Sequence, residues 1–146
     1  MSDEQLLVPY DCLMNSEIKV TDLPKSVLSL DKSIRFCGII DRFGYLIAQQ
    51  KRKNLQPLIT NSSRERQALQ SAIRHFKKQS FEENLGKVYY HVTRYEKLIG
   101  ATVQMSENHL MLLAFDPDTN NVDEIIMRKI LPLIEKYRSK NKIFEA

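Results

Sequence analysis

The sequence is poor in the residues that most enzymes and metalloproteins need. Its 146 residues contain four glycines, two cysteines, three histidines and no tryptophan. A phosphate-cradling loop needs clustered glycines whose amides converge on an anion. Gly38, Gly44, Gly86 and Gly100 are too dispersed for that. No G-x-S-x-G occurs, so a nucleophile elbow is excluded. Cys12 and Cys37 stand far apart, and no histidine has CxxC or HxxxH company. Zinc and redox motifs are therefore absent, and a reduced, cytoplasmic pair of thiols is expected. No metal or cofactor is expected. No apolar run approaches the ~20 residues that cross a bilayer. The opening "MSDEQLLVPYDC" has early acids and no basic region, unlike a secretory signal. Repeats, linkers and low-complexity segments are absent too.

The chain does have an uneven charge distribution. Its net charge is +4. Lys51, Arg52, Lys53, Arg64, Arg66, Arg74, Lys77 and Lys78 fall within one stretch whose single acid is Glu65, so the remainder is net acidic. Such a segment suits a solvated helix face, an acidic protein partner or phosphates. It lacks the interleaved aromatics that stack nucleic-acid bases, so nucleic acid is the weakest of these partners.

Hydrophobic patterning divides the rest. Residues 1–20 show no clear period and read as an N-terminal extension; 21–146 read as one domain. "TDLPKSVLSLD" is a short helix with Asp22 as cap and Pro24 in the first turn. "SIRFCGIID" and "YLIAQQKR" are strands joined by "DRFG". In the first strand Ile34, Phe36 and Ile40 point one way, Cys37 and Ile39 the other. Asp41 and Arg42 in the break invite a catalytic reading. A tight turn accounts for them fully: Gly44 supplies positive φ and Asp41 accepts backbone N–H groups. "SSRERQALQSAIRHFKKQSFEENL" is the strongest helix, with a Ser62/Glu65 capping box, a Leu69–Ala72–Ile73–Phe76 stripe and Gly86 as its stop. Three strands follow, "KVYYHVTRY", "LIGATVQM" and "HLMLLAF". A closing helix starts at Asn121, and Pro132 is expected to kink it.

The order α-β-β-α-β-β-β-α predicts an α+β fold: a five-stranded antiparallel sheet with helices on both faces. Strands 33–41 and 109–115, apolar on both faces, belong at its centre. No catalytic constellation emerges. Glu82–Glu83 and Asp123–Glu124 are adjacent on helices and diverge. His91 lies opposite Thr102, with a further strand between it and His109. Tyr89, His91, Thr93 and Tyr95 line one face of an edge strand and form a candidate interface.

This order, with the Asp-x-x-Gly turn of "GIIDRFGYLIA", resembles the roadblock/dynein light chain fold, close to longin and profilin-like domains. "LDKSIRFCGIIDRFGYLIA", a following "PL" and "GKVYYHVTRYEK" also resemble an uncharacterised family of small proteins from ammonia-oxidising archaea, over residues ~28–138. The resemblance implies a non-catalytic homodimeric platform that binds a small GTPase or a larger assembly. The alternative is a small-ligand sensor, profilin-like or PAS-like, with space left between sheet and helix at Gly38, Gly100 and Ala101.

Overall fold

A computed structural model of the chain describes residues 19–140. Nearly all of the N-terminal extension, with Cys12, lies outside the described residues. The elements are α1 (Leu23–Leu28), β1 (Ile34–Asp41), β2 (Leu46–Lys51), α2 (Asn61–Lys78), α3 (Glu82–Leu85), β3 (Tyr90–Arg94), β4 (Ile99–Ser106), β5 (His109–Phe115), α4 (Val122–Ile125) and α5 (Leu131–Lys140). The five strands form one antiparallel sheet in the order β2-β1-β5-β4-β3. The expected α+β architecture is observed, and the two doubly apolar strands, β1 and β5, are neighbours in it.

Alternation along the strands divides the interior in two. On one face Cys37, Ile39, Val103, Met111 and Phe115 pack against α1, α4 and α5. On the other, Phe36, Ile40, Leu110 and Leu112 pack against Ala68 and Ala72 of α2. Ile34 belongs to the first face, not with Phe36 as its spacing predicts. The register to β5 shifts between Ile34 and Phe36, and one extra residue reverses the side to which a strand residue points.

The "DRFG" break is a turn. The Asp41 Oδ1 accepts the N–H groups of Phe43 (2.9 Å) and Tyr45 (3.0 Å), and Gly44 has φ +90°. Arg42 donates to Asn108 and lies 5.1 Å from the Phe76 ring centroid. Both charged residues of the turn are thus used for structure.

Helix α2 departs from expectation in three ways. Its N-cap is Thr60, whose Oγ1 accepts the Ser63 N–H at 3.1 Å, so no Ser62/Glu65 box closes it. It ends at Lys78, and a 3₁₀ turn (Gln79–Phe81) separates it from α3, which Gly86 terminates at φ +87°. Its buried face is Ala68, Ser71, Ala72 and His75, leaving Leu69 and Ile73 about half exposed. Thr60→Ala is expected to cost about 1 kcal/mol in denaturant unfolding, a loss that Ser62→Ala should not reproduce.

Neither Asp22 nor Asn121 caps with its side chain. Pro132 is accommodated by a π-helical stretch (Ile126–Ile130) that ends two residues before it. Proline removes one i→i−4 bond, and a wider turn at that point absorbs the missing donor.

Candidate functional site: the cleft between α2 and the sheet

Near the β3 side of the sheet, α2 does not lie flush on the strands. Gly100 of β4 and Ala114 of β5 are registered partners and fill little space. A cleft of about 100 Å³ opens there. Leu55, Pro57, Leu58 and Ile59 of the β2–α2 loop border it. From α2 come Arg64, Gln67, Ser71 and Arg74, spaced by three and four residues along one face. His91 and Thr93 of β3, and Tyr95 just beyond it, line the opposite side. Three of the four edge-strand candidates therefore share this cleft, while Tyr89 is exposed outside it.

Of the three small residues expected to leave space, Gly100 does so. A Cβ there would have its nearest neighbour at 3.8 Å. Gly38 does not, because a Cβ would sit 2.9 Å from the Phe36 ring. Ala101 directs its side chain into the opposite core.

The basic residues divide into three kinds. Arg52 is engaged: its Nη1 and Nη2 donate to Asp116 at 3.0 and 2.9 Å, and Nη1 also reaches the Lys32 carbonyl. Arg35 shares the same carboxylate at 3.1 Å. Hydrogen bonds from Arg52 and Arg35 hold the Asp116 carboxyl below the usual carboxylate range. Arg52 is thus committed to Asp116 within the fold. Arg64 is half-buried, its guanidinium 4.0 Å from the Phe36 ring centroid, and burial pushes its pKa down. Arg66, Arg74, Lys77, Lys78, Lys51 and Lys53 are exposed.

Beside the cleft lies a histidine pair that sequence spacing does not reveal. His75 is fully buried and stacks on His91, with centroids 5.9 Å apart and planes 26° from parallel. Gln104 donates through Nε2 to the Ser106 carbonyl, so its Oε1 is the acceptor facing His75 Nε2. Gln79 donates to the same oxygen. This network sets the neutral His75 tautomer with the proton on Nε2. Among the described residues His75 Nδ1 and His91 Nε2 have no hydrogen-bond partner. Burial, then the charges of His75, Lys78 and Arg74, push His91 down to about 4. Burial also lowers His75. The available signal was the Ala68–Ala72 pair, whose helical face continues to His75.

His109 contacts Ser106 and lies on the central strand, away from this pair. Burial raises the Cys37 thiol well above its ordinary value, which leaves it inert. Among the described residues no group of three or more His, Cys, Asp or Glu is placed to hold a metal ion. No helix among them is long and apolar enough to cross a membrane.

No protein-family model matches the chain, and no curated protein does. Solved structures do match. A gliding protein MglB from Thermus thermophilus superposes with a TM-score of 0.64 at 17% identity, covering 80% of this chain and 83% of that one. A roadblock/LC7 domain from Streptomyces avermitilis gives 0.64 at 9% identity, covering 85% and 97%. This is the roadblock/LC7 fold. A further MglB, solved in a tetrameric arrangement, gives 0.62 at 19% identity, covering 82% and 88%. Within the roadblock fold of this chain, β3 is an edge of the sheet, and the cleft lies between that edge and α2.

Proposed function

We propose that this chain is a non-catalytic interaction module that pairs with a second copy and presents the pair to a partner protein, a small GTPase or a larger assembly. The observation that carries the reading is the edge at β3 together with the outer face of α2. Strand β3 has β4 as its neighbour on one side and, among the described residues, no strand on the other. An edge of unpaired N–H and C=O groups invites strand addition. Tyr89, Val92 and Tyr95 are exposed along it, and Leu69 and Ile73 are exposed on α2. Apolar side chains gathered on an edge and a helix face favour a two-fold pairing that buries both. The solved MglB in a tetrameric arrangement supports self-association in this fold. Arg66, Arg74, Lys77 and Lys78 supply an exposed cationic surface for an acidic partner.

The test is sedimentation equilibrium of the full chain at micromolar concentration. The expected mass is twice the 17.1 kDa of one chain. Leu69→Glu with Ile73→Glu should return it to a monomer with an unchanged circular dichroism spectrum, because both positions face outward. A native monomer would sink the pairing.

A further inference from the structure

The interaction reading uses Arg74 and Tyr95 at the rim of the cleft between α2 and the sheet but not its interior, where Arg64 and the floor at Gly100 lie. Among the described residues no aspartate or glutamate lines the cleft, whereas Arg64, Arg74 and Lys51 do. The contrast with the neighbouring arginines is sharp. Arg35 and Arg52 each hold Asp116. Arg64 is half-buried and has the Phe36 ring below it, and among the described residues it pairs with no carboxylate. A guanidinium withdrawn from water without a counter-charge is costly, and a planar fork of donors suits a carboxylate or phosphate. The floor at Gly100 and Ala114 is apolar and shallowly filled, and Tyr95 stands at its border. His91, also on the wall, carries a buried Nε2 with no hydrogen-bond partner among the described residues.

We infer that the cleft binds a small organic anion. Arg64 holds its carboxylate or phosphate, Arg74 further along α2 adds positive charge to the rim, and its compact apolar body rests over Gly100 and Ala114 beside Tyr95. Charge selects the head group, and the small residues of the floor select the body. Inorganic anions lack the body, and cationic analogues lack the head.

Amide chemical shifts of the ¹⁵N-labelled full chain test this with four probes: benzoate, phenyl phosphate, inorganic phosphate and benzylamine. Benzoate and phenyl phosphate are expected to move the amides of Gly100, Ala114 and Arg64 in a saturable way at millimolar concentration. Inorganic phosphate should need about tenfold more, and benzylamine should leave these amides in place. Gly100→Val suits a strand, has room at Cβ and fills the floor, so it should abolish binding while retaining the unfolding midpoint. Arg64→Gln should weaken binding about tenfold by removing charge-assisted hydrogen bonds. If Gly100→Val proves unstable, Arg64→Gln decides. Silence of all four probes, equal binding of benzylamine, or shifts confined to the outer face at Leu69 and Ile73 would overturn the assignment. So would phosphate binding as tightly as phenyl phosphate, or binding unchanged in the folded variants.

Discussion

Gly44→Ala is expected to lower stability by about 3 kcal/mol, with a fall of roughly 10 °C in the unfolding midpoint. Two costs combine. The residue has φ +90°, where an L side chain is strained by about 1–2 kcal/mol. A Cβ there would also sit 2.6 Å from the Leu69 Cα and 3.1 Å from its N. Those are backbone atoms of α2, so relief requires the turn or the helix to move. Overpacking of that kind costs about 1–3 kcal/mol. Gly86 is the control. It has φ +87°, but nothing lies within 4 Å of its would-be Cβ, so Gly86→Ala carries strain without the clash. Denaturant unfolding of both variants separates the terms. Equal losses would show that the contact between turn and helix contributes nothing.

Acidification from pH 6.5 to 4 is expected to destabilise the fold by about 2 kcal/mol through the histidine pair, after allowance for solvent screening. His91 is depressed from the ordinary 6.5 to about 4, because burial and then His75, Lys78 and Arg74 disfavour its charged form. His75 is lowered too, by burial and Lys78, against the opposing effects of Gln104 and Glu82. Between the folded and unfolded pKa values the unfolded chain binds more protons, so stability is full above 6.5 and is lost as pH falls toward 4. A second loss sets in at lower pH. Asp31, held down to about 2 chiefly by hydrogen bonds from Ser33, and Asp116, held below its usual range by Arg52, stabilise the fold only while ionised. The two windows are distinguishable. Unfolding free energies at pH 7, 5.5 and 4 should decline in the native chain, and His91→Gln should lessen that decline, leaving the part due to His75 and His109, which burial also lowers, without altering the loss below pH 4. A native profile that is level from pH 7 to 4 would show that the pair does not carry this dependence.

The sheet was legible from the sequence because its determinants are local. The apolar residues on both faces of 33–41 and 109–115 predict central strands, and β1 and β5 pair side by side. Asp41 and Gly44 predict a turn, and the Asp41 carboxylate does bind two backbone amides of that turn. Gly86 predicts a helix end from its φ preference alone. Each of these depends on residues a few positions apart, which a linear reading can weigh.

Tertiary structure decided which side of each element faces inward, and hence the site. Helix α2 carries two overlapping stripes, and hydrophobicity favours the one with Leu69 and Ile73. Close packing selects the other, because Ala68 and Ala72 let the helix approach the sheet while Gly44 presses on the Leu69 backbone. That rotation buries His75 against His91 and turns Arg64 over Phe36. The register shift at β1 reverses Ile34 in the same way. Arg52 and Asp116 are 64 positions apart and meet because β1 carries one neighbour on each side. A cleft, a paired charge and an exposed edge are relations between distant segments. The residue types were visible in the chain, but only the packing of α2 on the sheet brought them together.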